Sequence, residues 1–592
     1  MFRFRLVTAF VILTLLLALP VSALPPRGPK TQPKTGPPTR PGPSSMDTNS
    51  SARHSNANEE PKVDFRSETL LVRVPTVVVD KQGNPVSGLT KEDFDLAEDG
   101  QHRAISVCEE ISSPKVRILR APTTANTFTN GFSATQQPGG VTVFLLDTIN
   151  TPFLDQAYGR KELIRYLASN LDPTQSLALV LLTSSGIKVL HDVTDDPAEL
   201  IQALKKLNGE LPAMQGVTAG AQIAAVAGSG TDPGPVLTRK VYQDLSDFVE
   251  NGDGNIARLQ QDRAIESTMN GFLGISWALS GIPGRKSLVW ATGSLPFYID
   301  SPGAVPNGYL AVLYERAMKA LNDAQISIYP VDLRGLVTVN SGADYSGRGS
   351  RSTAQLVARS WLQGSTIDTL RDLADMTGGR AFYNTNDLAA SFHRVAADSS
   401  HYYMLGYYLN TANRNAGWRS LKVKVHRNNV EVRSRNGFFV THATTDPELS
   451  RKLDITYAAN APFNGTGVPI SVQWTELSAA ESKGGTGPDK KQVGFLLRIG
   501  GAGISTEAGQ KNSLNMELAA VVFAAKGPDP DASISQTFAM AIPDSEIPKL
   551  HQQGLGYRSA LQLTPGKYTV RFVVRDNLNG QIGSVSAPVT VN

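Results

Sequence analysis

His191 and Asp192 stand side by side, and a histidine near a carboxylate is common raw material for a general base. Adjacency in the chain does not by itself arrange one. Only 8 histidines are present. The chain has no Gly-x-Ser-x-Gly elbow, His-Glu-x-x-His helix, phosphate-cradling Gly-x-x-x-x-Gly-Lys-Ser/Thr loop or Cys-x-x-Cys pair. Cys108 is the sole cysteine, so no intramolecular disulfide can form, and it reads as a small buried hydrophobe on a strand rather than a reactive thiol. Asp529 and Asp531, among prolines, offer oxygens of the kind calcium takes, but the pattern suits an acidic surface loop better. Tyr402, Tyr403, Tyr407, Tyr408 and Trp418 form an aromatic cluster that could stack on sugars or peptides; alternation along strands favours packing within a core. No catalytic residue is assigned, and the protein is read as no enzyme. A hydrolase whose site is assembled from distant residues stays open.

The elements that would position such residues begin with an export pattern. Arg3 and Arg5 precede an apolar run from Leu6 to Leu19, and Val21-Ser22-Ala23 supplies small residues of the kind signal peptidase accepts. A signal peptide over 1–23 is predicted, with the mature chain exported to the periplasm or the extracellular space. The apolar run is shorter than the roughly 20 residues that span a bilayer, so no transmembrane segment is expected after cleavage. Formal net charge is only +4 over 592 residues, which gives no electrostatic case for nucleic acid.

Length predicts several domains, at about 100 to 200 residues each. Residues 24–64, rich in proline and small polar side chains, cannot bury enough apolar surface to offset chain entropy and read as a disordered linker. Strand-like runs at Thr69 to Val79, Phe94 to Ala97 and Ala104 to Cys108 predict a small β module over 65–115, followed by a linker over 116–140. Val141 to Asp147 is a continuous apolar run of the kind buried on both faces of a parallel sheet. Further strands are predicted at Leu177 to Leu182, Ser287 to Trp290 and Ile326 to Val331. Helices are predicted near Asp155 to Ser169, Ala264 to Leu279, Leu310 to Ala324 and Thr366 to Met376. This alternation argues a doubly wound α/β domain over 141–400, with surface insertions near Gly216 to Gly254 and Gly335 to Gly364.

Several landmarks carry a resemblance. The run Val77-Val-Val-Asp-Lys-Gln-Gly-Asn-Pro-Val-Ser-Gly-Leu-Thr-Lys-Glu-Asp-Phe94 comes first, then Leu146-Asp147-Thr-Ile-Asn150-Thr151 and Pro283-Gly-Arg-Lys286 with Leu288-Val-Trp. Ile328-Tyr-Pro-Val-Asp332-Leu-Arg-Gly335, Thr377-Gly-Gly-Arg-Ala-Phe382 and Tyr402-Tyr-Met-Leu-Gly-Tyr407 follow in order. Together, over roughly residues 68 to 440, they resemble the von Willebrand factor A-related (VWFA-related) domain family named from acidobacteria. The resemblance implies a bacterial protein with an A-type domain, with adhesion or protein binding as its general role and no established reaction.

A-type domains commonly hold Mg²⁺ or Mn²⁺ in an Asp-x-Ser-x-Ser loop with a distant Thr and a second Asp. Here Asp147 matches the first Asp, Ile149 replaces the first Ser, Thr151 the second, and Thr292-Gly293 stands where the second Asp is expected. Asn150 substitutes if the loop shifts by one residue, and Thr268 is a better distant threonine than Thr218. The resemblance therefore implies a degenerate metal site of Asp147, Asn150, Thr151 and Thr268, with weak Mg or Mn binding at most and no other cofactor. The competing reading is that Asp147, Thr151 and Thr292 satisfy backbone groups and cap helices.

After the A-type domain, closing β-hairpins are predicted over 401–440, a linker over 441–467, and an immunoglobulin- or fibronectin-like β-sandwich over 468–592. Seven short strands are expected there: Val468 to Trp474, Phe495 to Ile499, Asn515 to Val522, Gln536 to Ala541, Tyr557 to Leu563, Lys567 to Arg575 and Ser586 to Val591. The fold class expected is thus multidomain α/β plus β: a doubly wound von Willebrand A-like central domain, a small N-terminal β module and a C-terminal β-sandwich. The function expected is an exported adhesion-type protein that binds a protein or an envelope or matrix partner. A structural or assembly component of the cell envelope is the alternative.

Overall fold

A computed structural model describes residues 69–112, 119–120, 126–133, 140–169, 176–207, 262–293, 309–336, 367–410, 417–440, 447–475, 490–506, 513–525 and 530–592. The signal segment, the 24–64 linker, most of 121–140, Thr218, Asp529 and nearly all of the two expected insertions lie outside the described residues. The chain folds as a mixed α/β, β-rich protein, and Arg66–Asn592 form one compact unit.

The central sheet runs in the order Gly186–Thr194 (β10), Ser176–Thr183 (β9), Val141–Asp147 (β8), Lys286–Thr292 (β11), Ile326–Asp332 (β12). All neighbours are parallel except β10, which turns back on β9 as a hairpin. β8 and β11 are buried at every position, as strands covered on both faces must be. Alternate side chains enter two cores. Val143, Leu145, Leu288 and Trp290 pack against the helix at 262–279 (α3), Tyr309–Asp323 (α4) and the helix at 367–377 (α5). Phe144, Leu146, Val289 and Ala291 pack against Phe153–Ala168 (α1), Pro197–Lys206 (α2) and Leu388–Ser400 (α6). Each large aliphatic side chain so covered contributes about 1.5–3 kcal/mol. Asp196 and Asp387 start α2 and α6 by accepting the amides of Ala198 and Ala390.

The expected N-terminal module and closing hairpins are not two units. Thr69–Asp80 (β1) lies between His401–Asn410 (β13) and Val430–Arg433 (β15), and Val107–Ser112 (β4) completes that sheet. Against it lies a second sheet of Gly437–Val440 (β16), Gly417–Val425 (β14), Phe94–Glu98 (β2) and Gln101–His102 (β3). One core joins them, with Val72, Val74 and Leu96 touching the same cluster as Tyr403, Tyr407 and Phe438. Neither segment has enough strands to bury its own apolar face, so the two halves fold together across the intervening domain.

The C-terminal sandwich pairs Leu555–Leu563 (β21), Lys491–Ile499 (β18), Ile470–Thr475 (β17) and Thr127–Thr129 (β6) with Pro530–Met540 (β20), Leu514–Ala524 (β19), Gly566–Asp576 (β22) and Ile582–Val591 (β23). The seven expected strands are β17 through β23, and β6 comes from the stretch expected as the 116–140 linker. Asn130, just after β6, is pinned there: its Nδ2 donates to Val468 O at 2.9 Å and its Oδ1 accepts the Ile470 amide at 2.7 Å. Nearby, Leu119–Arg120 (β5) and Phe132–Ser133 (β7) form a two-stranded pair.

From Pro447 on, the stretch expected as the 441–467 linker is likewise no linker. Pro447–Asn460 (α7) packs Ala458 and Ala459 into a cluster shared by Leu273 and Trp277 of α3 and by Ala519, Val573 and Ile582 of the sandwich. Asp454 on α7 accepts Arg316 of α4 on one oxygen and Arg575 of β22 on the other, the latter at 2.9 Å. The apolar side of α7 would be exposed if this stretch were free, which is why it docks. A short helix, Ile547–Gln553 (α8), precedes β21. No helix among the described residues is long and apolar enough to cross a membrane.

Candidate functional site

The strand order reverses between β8 and β11, and ligands of open α/β sheets sit at such a switch point, beyond the carboxyl ends of the strands. Asp147 ends β8 and Thr292 ends β11. The structure brings all four expected residues, Asp147, Asn150, Thr151 and Thr268, to this point. All are buried, with Asp147 only 1% exposed.

Their contacts run partly among themselves and partly to Ile149, Ala264, Trp290, Thr292 and Gly293. Oδ1 of Asp147 accepts the amides of Ile149 and Asn150 at 3.0 and 2.9 Å, the local turn that carries the chain away from the strand. Oδ2 accepts Asn150 Nδ2 at 2.8 Å, Trp290 Nε1 at 3.0 Å and Thr292 Oγ1 at 2.9 Å. Asn150 Nδ2 also reaches Thr268 Oγ1 at 3.1 Å, and that hydroxyl donates to Ala264 O at 2.8 Å within α3. Thr151 Oγ1 accepts the Gly293 amide at 2.9 Å. A Cβ at Gly293 would lie 2.8 Å from Pro152, so glycine is needed for the close approach of the two loops. Burial holds the Asp147 carboxyl above the usual carboxylate range, against the opposing pull of its Asn150, Thr292 and Trp290 donors.

These residues do not fit a divalent cation. Mg²⁺ requires near-octahedral oxygen ligation with one or two carboxylates and several waters. The one carboxylate here is enclosed by five N–H and O–H donors. The amide of Asn150 and the indole of Trp290 turn partial positive charge toward it. Among the described residues, no group of three or more His, Cys, Asp or Glu is placed to hold a metal.

At the end of β12, two strands across the sheet, the mouth is different in character. Arg334 forks onto Asp332 at the end of β12, Nε to Oδ1 at 2.9 Å and Nη2 to Oδ2 at 2.7 Å. Asp155 in the first turn of α1 has its carboxyl raised by burial and by the Asp332 charge, with Arg334 opposing. Leu154 beside it is 80% exposed and Leu336, after Arg334, is 60% exposed. The Leu336 amide and Tyr158 hydroxyl both bond Asn386, at 3.0 and 2.7 Å, which ties this loop to α1.

The other expected chemistry is not assembled. His191 lies on the edge strand β10, its Nδ1 2.8 Å from the Asp192 carbonyl and its Nε2 3.4 Å from Glu199. The Asp192 carboxylate instead accepts the Val193 amide at 2.9 Å. Tyr402, Tyr403 and Tyr407 are buried, Trp418 packs on Phe439 with ring centroids 5.0 Å apart, and Tyr408 alone of the cluster is exposed. Cys108 is half-buried on β4, and burial pushes its thiol up. At the opposite end of β11, Arg285 is a structural hub: it reaches Ser327 Oγ, Asp398 O, Tyr329 OH and Gly378 O at 2.7 to 3.1 Å.

Trp290 is the site partner that sequence reasoning missed. The signal was available, since Trp290 and Thr292 are two apart on a strand and must share a face. The Arg334–Asp332 fork had no such signal.

No family model matches the chain, and no curated protein matches it. Among solved structures it is similar to the conserved hypothetical protein BatB of Bacteroides thetaiotaomicron, at 12% identity and a TM-score of 0.18, over 44% of this chain and 98% of that one.

Proposed function

We propose that the protein is an exported, non-enzymatic binding protein whose central domain is a doubly wound, von Willebrand A-like unit that docks a protein partner without a metal. The observation that carries this reading is the strand order with its reversal between β8 and β11, helices on both faces, and exposed side chains at the carboxyl ends of the strands. At that end the Asp147 cluster is satisfied internally and serves as a rigid floor. Leu154, Asp155, Arg334 and Leu336 form the contact surface, two apolar groups beside an acid and an arginine that is forked onto Asp332, in the manner of a small interface. Export is supported by Arg3, Arg5, the Leu6 to Leu19 run and Val21-Ser22-Ala23.

The test is site-specific photocrosslinking in the native host from positions 154 and 336. A single envelope or extracellular protein captured from both positions, and lost when Leu154→Asp and Leu336→Asp are combined, is the expected result. Capture that is equally strong from Thr590, on β23 of the C-terminal sandwich, would sink the reading.

A further inference from the structure

We propose that β20 is a self-pairing edge through which two copies of this chain join into a dimer with a continuous sheet. Among the described strands β20 pairs with β19 alone, so one full row of its backbone N–H and C=O groups faces away from the sheet. Natural proteins blunt such edges with short strands, lysines, prolines or bulges. β20 is 11 residues long, and from Ala532 to Met540 it contains no charged residue and no proline. Its one irregularity lies at the far end, opposite Val522 and Phe523.

The register with β19 assigns the faces. Met516, Leu518 and Ala520 are core residues, so their partners Phe538, Gln536 and Ile534 point inward, and Ser533, Ser535, Thr537 and Ala539 point outward. Read from Gln536 in both directions, the strand is close to a palindrome. An antiparallel two-fold pairing centred there sets Ile534 against Phe538 of the second copy on the inner face. On the outer face it sets Ser535 against Thr537 and Ser533 against Ala539. Apolar meets apolar, small polar meets small polar or alanine, and no like charges oppose.

This self-complementarity is what selects a second copy over a foreign strand, because an isologous contact requires a surface that matches itself. The edge strand of the other sheet, β21, runs alongside, with Tyr557 OH donating to Gln536 Oε1 at 2.7 Å and its ring set edge-to-face against Phe538, centroids 5.1 Å apart. These contacts hold β20 flat and in register before any partner arrives. The inference does not depend on the docking function proposed above.

Sedimentation equilibrium of the intact chain tests it, with Ser535→Lys combined with Thr537→Lys as the variant. Both positions face solvent in the monomer, and in the dimer each lysine would lie opposite a lysine of the second copy. The expected result is a concentration-dependent dimer whose dissociation constant rises at least about tenfold in the variant, with unchanged circular dichroism and thermal midpoint. Thr590→Lys on β23 should leave the dimer intact. Gln536→Cys, made in a Cys108→Ser background, should form a covalent dimer on mild oxidation. A chain that stays monomeric at every soluble concentration overturns the proposal, as does a dimer indifferent to the paired lysines. Protection of β20 amides from exchange only when an extended segment of another protein is added would assign the edge to a foreign strand instead.

Discussion

Trp290 donates its indole N–H to the buried carboxylate of Asp147 across 3.0 Å, joining the ends of the two strands between which the sheet reverses its order. The bond occupies an oxygen that a cation would need. It also fixes the indole edge-on to Phe272 of α3, with ring centroids 5.2 Å apart. Charge satisfaction and core packing therefore depend on the same side chain.

Trp290→Phe should destabilise the protein by about 2 to 4 kcal/mol, from the loss of a hydrogen bond to a buried acid and the space left by the smaller ring. Thr292→Val removes one donor with little change of volume and should cost about 1 to 3 kcal/mol. Denaturant titration of each variant checks this. A loss below about 0.5 kcal/mol for Trp290→Phe would mean that the carboxylate is satisfied without the indole.

Mg²⁺ and Mn²⁺ should neither bind stoichiometrically at Asp147 nor raise the thermal midpoint, and a chelator should leave it unchanged. The carboxylate already accepts from five donors, and three of them share Oδ2. Calorimetry on the intact chain decides the matter. Tight binding abolished by Asp147→Ala, in a variant that remains folded, would restore the metal site.

Lys286 supplies a pH dependence with a definite sign. It is only 2% exposed, its Nζ donates to Ile282 O at 2.6 Å, and burial lowers its pKa to about 7. Between about 7 and the ordinary lysine value near 10.4, the unfolded chain binds a proton that the folded chain does not, so stability rises with pH across that window. The slope from this one group is at most about 1.4 kcal/mol per pH unit. Lys286→Met should remove that component, seen as a flatter difference in unfolding free energy between pH 7 and pH 9, a range of about two units set by those values. A wild-type minus variant difference that falls as pH rises would contradict it.

Asp454→Ala should uncouple the central domain from the C-terminal sandwich. The carboxylate is shared by Arg316 and Arg575, whose side chains are 20% and 13% exposed, so its removal leaves two largely covered cations without a counter-charge. The cost should be about 3 to 5 kcal/mol. Calorimetric scanning should show one transition splitting into two. A single, merely lowered transition would indicate that the apolar contacts of α7 suffice to couple the bodies.

What could be read from the chain alone was whatever depends on neighbours in sequence. Val141 to Asp147 announces a strand covered on both faces because every position but Thr142 is apolar up to the acid. The seven C-terminal strands were legible from alternation and turns, and the set Asp147, Asn150, Thr151 and Thr268 only through the family resemblance. Pairings between distant segments were not legible. β1 finds β13 more than three hundred residues later, β6 adds to a sandwich whose remaining strands begin at Ile470, and α7 docks where a linker was expected. Backbone hydrogen bonds are alike at every residue, so which of these distant strands pair within the chain is selected by the burial of whole faces. The same holds for Asp147. The resemblance implied a cation ligand there and the residues alone a group that satisfies its neighbours, but whether a carboxylate holds metal or is enclosed by donors depends on side chains brought in from other strands, and here Trp290 and Thr292 enclose it.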